Sequence, residues 1–388
     1  MNVVMVSPHF PSNFALFSIR LRACGVNVLG IGDPNRELLP PGLGDALTDY
    51  YRVDDLVRFD QMMSACSYFR EKYGPLDRLE SHNEFWLESD ARLREAFAIP
   101  GLKTADLAAA QPKSKMKEIF LREGIPVAKG RLVATLEEAR AFARETGYPA
   151  ILKPDRGVGA NDARKISSKR DLEDFFSRPK TTAMFMEEFV HGALVTFDGL
   201  TDRKGNIVFA SSMGYSDGMM EMSGQRLDIF LHTVRKLEPD LEDAGRRIVA
   251  AFGLKERFFH VEFFRAWDDK RLVALEINIR PPGGMLLDLY NFSADVDLYA
   301  EWARITAWPD YTPPPFERKY HGAFFGRRKN RNYAHSHEQV VAAFPAKLMH
   351  QSAIPEAFSA PMGDMCYIFR APSLQEIEEI ARYVLERA

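Results

Sequence analysis

The chain has 388 residues, 46% of them apolar, with 51 Lys and Arg against 54 Asp and Glu and a net charge of −3. That length exceeds one small core and requires two or three packed units, while the near-balanced charge lacks the basic footprint of a nucleic-acid binder or of a protein held on an anionic membrane. Three widely separated cysteines, Cys24, Cys66 and Cys366, have no paired metal spacing and fit a reducing compartment; with no apolar run of about 18 residues and no basic leader, the expectation is a soluble, unprocessed cytoplasmic protein.

Residues 3–6 read as a buried strand, 13–24 as a helix and 26–31 as a second strand, a βαβ opening. The turn Ser7-Pro8-His9-Phe10-Pro11 contains no glycine, so the dinucleotide fingerprint is absent and an NAD site is disfavoured; His9 stands where an open α/β sheet binds ligands. Residues 83–97 read as helical, stopping at Ile99-Pro100-Gly101. From Pro112 onward, helices with explicit start signals alternate with short strands. Thr135-x-x-Glu138 and Ser168-x-x-Asp171 read as capping boxes. Helix 113–123 ends at Gly124 with Pro126 behind it, and strand 150–153 follows Gly147 and Pro149. Residues 184–189, 195–200 and 207–211 read as sheet, and 241–252 as an amphipathic helix closed by Gly253. Pro313-Pro314-Pro315 leads into a last unit, whose final helix opens at Ser373-x-x-Glu376 and packs one face from Leu374 to Leu385. The class is α/β, becoming α+β in the central part, with units at 1–110, 111–194, 195–312 and 313–388.

Between Phe258 and Gly284 two short strands flank the polar turn Asp268-Asp269-Lys270. Phe259, Val261 and Phe263 alternate with His260, Glu262 and Phe264; Leu275, Ile277 and Ile279 alternate with Glu276, Asn278 and Arg280. With no bulge, Glu262 and Glu276 are equidistant from Asp269 and face each other, about 5 Å apart at Cβ, where like charges repel by roughly 3 kcal/mol at an effective dielectric of 20. A cation resolves that conflict. Glu262, Glu276 and the Asn278 amide form a hard-oxygen set suited to Mg²⁺ with phosphate oxygens and water, and Arg280 extends the line as a fork for phosphate or carboxylate. The alternative is a solvated hairpin face laced with ion pairs.

Lys153 ends the buried strand Ala150-Ile151-Leu152-Lys153-Pro154, where it can anchor phosphates rather than snorkel out of the sheet. Gly157 and Gly159 lie in a loop whose backbone N–H groups can approach an anion, although such turns are common and no Gly-Lys-Ser/Thr follows to make a P-loop. Glu187-Glu188-Phe189-Val190 closes an apolar strand that could present a backbone edge to a purine, or be an ordinary edge strand.

In this order the segments resemble the ATP-grasp superfamily, in particular its carboxylate–amine ligases, over residues 1 to 310. Pro112-Lys113-Ser114-Lys115-Met116-Lys117 with Gly124-Ile125-Pro126 is similar to the family's first lysine motif, the distance to Gly124-Ile125-Pro126 selecting Lys113 over Lys115. Tyr148 to Pro154 resembles the second lysine motif, residues 157–161 the glycine-rich loop, and Glu187 to Val190 the adenine hinge. His260-Val261-Glu262 and Glu276 to Arg280 resemble the magnesium and phosphate motifs. Pro112 stands where Asp is frequent, and Leu194 where many members place a Glu for the ribose. The resemblance implies an ATP-grasp fold behind a Rossmann-like pre-ATP-grasp domain. It also implies ATP and Mg²⁺, or Mn²⁺, as cofactors, with Lys113 and Lys153 on phosphates, Glu262, Glu276 and Asn278 on the metal, and Arg280 and Lys153 in catalysis. A carboxylate would be activated as an acyl phosphate with release of ADP, then captured by an amine; both substrates are small molecules, amino acids among them, and a homodimer is admissible. A carboxylase, a kinase and a non-catalytic nucleotide-binding protein are the rival readings.

Other features carry less. Arg327-Arg328-Lys329-Asn330-Arg331 reads as a solvated loop or an acidic-substrate contact rather than a nucleic-acid patch, His335 and His337 as surface residues, and the Met-rich stretch 213–222 as core that can border an adaptable pocket.

Overall fold

A computed structural model describes residues 1–157, 163–177, 184–215 and 227–388. Gly159, most of the expected glycine-rich loop and residues 216–222 of the Met-rich stretch lie outside the described residues.

The N-terminal sheet is parallel, with Asp49–Arg52, Asn27–Gly32, Asn2–Val6 and Arg78–Glu80 in that spatial order. Its two central strands, Asn2–Val6 and Asn27–Gly32, are apolar on both faces because both are covered. Val4, Val6, Leu29 and Ile31 pack with Met62 and Phe69 of helix Phe59–Tyr73, whereas Val3, Met5 and Val28 pack with Phe17 and Leu21 of helix Ala15–Ala23. A second, four-stranded sheet carries the lysine unit in the order Gly130–Val133, Met184–Glu188, Ala150–Pro154, Arg164–Ile166. Helix Leu136–Thr146 covers it, its capping box at Thr135 and Glu138 formed as expected. At Ser168 the hydroxyl accepts from the Asp171 N–H, but the Asp171 carboxylate reaches back to Ser167 N–H at 2.9 Å, one residue earlier than a capping-box Glu would.

Among the described residues the third sheet has nine strands, one of which, Ile207–Ser211, pairs with Gly192–Thr201 off the main path. It begins with the hairpin Leu272–Asn278 and Phe258–Ala266 and continues through Gly192–Thr201, Met213–Tyr215 and Ile229–Thr233. His321–Arg327, Met365–Ala371 and Leu348–Ala353 then extend the same sheet, so the last unit hydrogen-bonds directly onto the central one. Helix Pro239–Ala251 lies on the back of the sheet at Gly245, where a Cβ would stand 2.2 Å from the Phe197 ring; only glycine permits that approach.

The basic segment is a correction to the sequence reading. Arg327 ends a strand and is buried, its guanidinium donating to Val384 O at 2.7 Å and His335 O at 2.8 Å; Arg328 is buried too and donates to Leu227 O and Ala360 O at 2.8 Å. Both satisfy carbonyls of loops and of helix C-terminal turns, a structural duty that a run of charge does not reveal. Among the described residues no helix is long and apolar enough to cross a membrane.

The N-terminal sheet is fastened to the large sheet by a buried ion cluster. Glu80 accepts from Arg257 at 2.7 and 3.0 Å and from Arg94 at 3.3 Å. Burial alone would raise the Glu80 carboxyl, but the two guanidiniums overcome it and hold the group down to about 2. Arg257→Met removes one of the two cations from a buried carboxylate and should cost about 3–5 kcal/mol. Arg246→Met, which breaks an exposed i,i+4 pair with Glu242, should cost only about 0.3–0.5 kcal/mol. Urea denaturation checks both, the first variant lowering the midpoint sharply at an unchanged m-value.

Candidate active site

The hairpin register brings the carboxylates together. His260 pairs with Asn278 and Glu262 with Glu276, while Phe259, Val261 and Phe263 are buried on the opposite face with Ile277 and Ile279. A bulge then shifts the pairing, Phe263 facing Ala274, so Leu275 is the extra residue. The expectation that Leu275 shares the face of Ile277 therefore fails; it turns with Glu276 into the cleft.

The neighbouring strand Gly192–Thr201 adds a second row. Asp198 stands beside His260 and Thr196 beside Glu262. Asp198 Oδ1 lies 2.5 Å from His260 Nδ1, the Tyr290 and Thr196 hydroxyls donate to Asp198 Oδ2, and His260 Nε2 lies 3.2 Å from Glu262 Oε1. Burial disfavours the imidazolium, but Asp198 and Glu262 together raise His260 to about 10, and the charged ring in turn helps hold the Glu262 carboxyl below its usual range against its own burial.

Facing the hairpin is the lysine sheet. Helix Lys113–Arg122 is tied to the end of strand Ala150–Pro154 by Asp155, which accepts from Lys113 N–H and Ser114 N–H at 2.8 Å and from Ser114 Oγ at 3.0 Å. Lys113 is buried, 3.9 Å from Glu276, with Nζ donating to Gly157 O at 3.3 Å; Lys115 is exposed and pairs with Glu118. Geometry thus separates the two lysines as expected.

Lys153 and Glu187, expected at phosphate and adenine, meet each other. Lys153 Nζ is 2.5 Å from Glu187 Oε1, and Lys117 Nζ is 2.8 Å from Oε2. Burial by itself would raise Glu187, yet the two lysines bring it down to about 2; burial lowers Lys117, whereas Lys153, close also to Glu276, is raised despite its burial. Glu187 is thus a counter-ion for two lysines, while Glu188, Phe189 and Val190 line the cleft with Lys165 Nζ 3.9 Å over the Phe189 ring. Arg280 is not a free fork either. Its Nε donates to Glu84 Oε2 at 3.1 Å and Nη1 to Pro281 O at 2.9 Å. The Asn278 amide, oriented so that its nitrogen points the same way, donates to the two Glu84 oxygens at 3.2 and 2.9 Å. Burial raises the Glu84 carboxyl, the Arg280 guanidinium opposing.

Lys117, Glu84 and Asp198 are the site residues that sequence reasoning missed. Lys117 had a signal, lying one helical turn after Lys113 on the same face; Asp198 had one too, alternating with Phe197 on its strand, whereas Glu84 approaches from a distant segment with no local pattern. Together these groups line a cleft of about 650 Å³, within the usual range for a ligand site. Among the described residues no three His, Cys, Asp or Glu side chains converge as a metal cluster. Two opposed carboxylates completed by an amide, with further positions left to phosphate oxygens and water, is the oxygen set that Mg²⁺ accepts, and so the residues fit the ion.

Two sheets closing on a cleft with lysines on one wall and carboxylates on the other define a nucleotide-gripping fold. Residues 112–280 match the family described as carbamoyl-phosphate synthase L chain, ATP binding domain. An L-arginine-specific L-amino acid ligase of Bacillus subtilis is 26% identical over 283 residues, 69% of this chain and 67% of that protein. A carbamoyl phosphate synthase large chain of Thermotoga petrophila is 24% identical over 187 residues, 46% of this chain but 17% of its own length. The crystal structure of an L-amino acid ligase from Bacillus licheniformis superposes with a TM-score of 0.73 at 15% identity, covering 98% of this chain and 97% of the other. Residues 112–280 thus carry the ATP-binding domain that this family describes, and the chain as a whole has the fold of the solved ligase.

If Lys113 is the phosphate lysine, Lys113→Ala should weaken binding of a nonhydrolysable ATP analogue about tenfold or more, the worth of a charged hydrogen bond. Lys115→Ala should leave it unchanged. Calorimetric titration of both variants measures the difference.

Proposed function

We propose that this protein is an ATP-dependent, ADP-forming carboxylate–amine ligase. The observation that supports it most is the opposition, across one cleft, of Glu262, Glu276 and Asn278 on the hairpin to Lys113 and Lys153 on the lysine sheet. In this reading residues 1–110 close one side of the site through Glu84, 111–194 carry the lysines, 195–312 carry the metal ligands, and 313–388 complete the far wall. The nucleotide lies between the sheets, its base at Glu188, Phe189 and Val190 and its phosphates toward Lys113 and Lys153. Bound Mg²⁺ would neutralise charge between the β and γ oxygens, held by Glu262, Glu276 and the Asn278 oxygen.

The chemistry then proceeds by position and charge rather than through a protein nucleophile. A carboxylate oxygen of the acid attacks the γ-phosphorus, the bond to the β-phosphate oxygen breaks, and ADP leaves. Arg280, aimed by Glu84, sits beside the transferred group and stabilises the acyl phosphate. An amine adds to the acyl carbon, phosphate departs with the C–O bond, and the ammonium proton is lost to give the amide. The acid and amine are proposed to be small molecules of the amino-acid kind, and a homodimer is the proposed assembly.

Glu276→Gln keeps the shape of the hairpin but halves the charge opposed across it. Mg²⁺-dependent phosphate release should fall about tenfold or more, the cost of one charged ligand interaction, while the analogue still binds. Turnover at the wild-type level would remove Glu276 from the metal set.

The ligase step itself is tested with hydroxylamine. MgATP, a pool of carboxylic acids and hydroxylamine should yield hydroxamates, detected by mass spectrometry, with ADP release that depends on the acid. AMP as the sole nucleotide product would eliminate the acyl phosphate, and a stable phosphorylated product would assign the protein to the kinases.

A further inference from the structure

The cleft extends well past the place where phosphates would lie, and its charge is confined to one end. Along the large sheet its floor runs from Glu276 and Glu262 to Leu194 and Tyr215 and ends at Ile229 and Leu231. Three strand spacings separate the strand of Glu262 from that of Ile229, roughly 14 Å at about 4.8 Å per spacing. Among the described residues, each ionisable Lys, Arg, Glu or His lining the cleft comes from segments 113–191 or 260–280. Beyond Tyr215 the lining is apolar: Ile229 and Leu231 below, Leu286 above, and Phe358, Pro361 and Met362 at the far wall.

This end is built as part of the core. Ile229, Leu231, Leu286 and Met362 are 0%, 1%, 5% and 8% exposed and belong to one continuous apolar cluster that also holds Leu194 and Tyr215. The roof is kept thin by glycine: a Cβ at Gly283 would meet nothing within 4 Å, and one at Gly284 would stand 3.2 Å from Met362 Cε. Tyr215 marks the boundary, buried and within the electrostatic reach of both Glu262 and Arg280. A charged group placed beyond it would be stripped of water with no partner among the described residues, a far larger loss than a poor apolar fit.

Resting on the ligase reading, we propose that the acid substrate has an uncharged apolar body, aliphatic or aromatic, which fills this chamber while its carboxylate meets Arg280 and the Tyr215 hydroxyl at the boundary. The chamber selects the acid by exclusion. Polar and charged bodies are refused because none of the described residues there solvates them, and length is limited by Phe358 and Met362.

The test offers the full chain MgATP, hydroxylamine and one acid at a time: leucine, methionine, phenylalanine and 4-methylpentanoate against serine, aspartate, lysine and arginine, with ADP release followed by a coupled assay. The apolar acids should exceed the charged ones by about a hundredfold in kcat/KM, the discrimination available to an apolar pocket against a group it cannot hydrogen-bond. Ile229→Ala and Met362→Ala should each shift the optimum toward bulkier acids by about tenfold, with the affinity for a nonhydrolysable ATP analogue retained as the sign of an intact fold. A wild-type preference for charged acids, or chamber variants that alter every acid alike, would overturn the proposal and leave the ligase reading standing. ADP release that no acid stimulates would overturn both.

Discussion

Two carboxylates held opposite each other on adjacent strands are the constraint to which the rest of the site responds. Glu262 and Glu276 cannot separate without breaking the hairpin ladder, because Val261 and Ile277 between them are locked in the core. Their repulsion is offset from three directions. His260 is held charged against Glu262 by Asp198, Lys113 approaches Glu276 from the lysine sheet, and Lys153 lies within range of both. Opposite charges on the two sheets therefore face each other across the cleft and draw its walls together.

The same logic recurs where the units join. Glu80 ties the N-terminal sheet to Arg257 at the start of strand Phe258–Ala266, and four residues later the same N-terminal segment sends Glu84 to Asn278 and Arg280. One buried ion cluster thus sets the height at which the second carboxylate enters the site. A change at Glu80 or Arg257 acts on the site through position as well as through stability, and the N-terminal unit belongs to the active site rather than merely standing beside it.

Much of this was legible in the sequence, for local reasons. Alternation of Phe259, Val261 and Phe263 with His260 and Glu262 fixes which side chains share a face once a strand forms; the carboxylates do pair, though through a turn centred between Asp268 and Asp269 and the bulge at Leu275 rather than the unbulged turn on Asp269. Lys113 was separable from Lys115 by its distance to Gly124. What escaped was non-local. The bulge that turns Leu275 into the cleft depends on packing against the neighbouring strand, not on its own residue type. Glu84 carries no periodic mark, Asp198 alternates with Phe197 but nothing local tells which strand it lies beside, and Arg327 and Arg328 read as a solvated charge run because the carbonyls they satisfy lie 31 to 57 residues away for Ser359 and Val384. Lys117 was readable by its helical spacing from Lys113, but a second lysine on an amphipathic helix is ordinarily solvent-facing, and only the presence of Glu187 opposite keeps it inside.

Glu187 shows how the resting site can be charged without being strained. A buried carboxylate with one lysine would lose its only partner whenever that lysine moved to a phosphate, leaving an uncompensated charge in the core. With two lysines, Lys153 at 2.5 Å and Lys117 at 2.8 Å, the carboxylate is compensated before and after such a transfer. Lys117 lies deeper on its helix and is the one whose charge burial weakens, whereas Lys153 is the one the hairpin carboxylates also attract. The two lysines therefore differ in surroundings: Lys117 faces Glu187 alone among close carboxylates, whereas Lys153 is also attracted by Glu276 and Glu262, so in the proposed function Lys153 is the one placed to meet the phosphates.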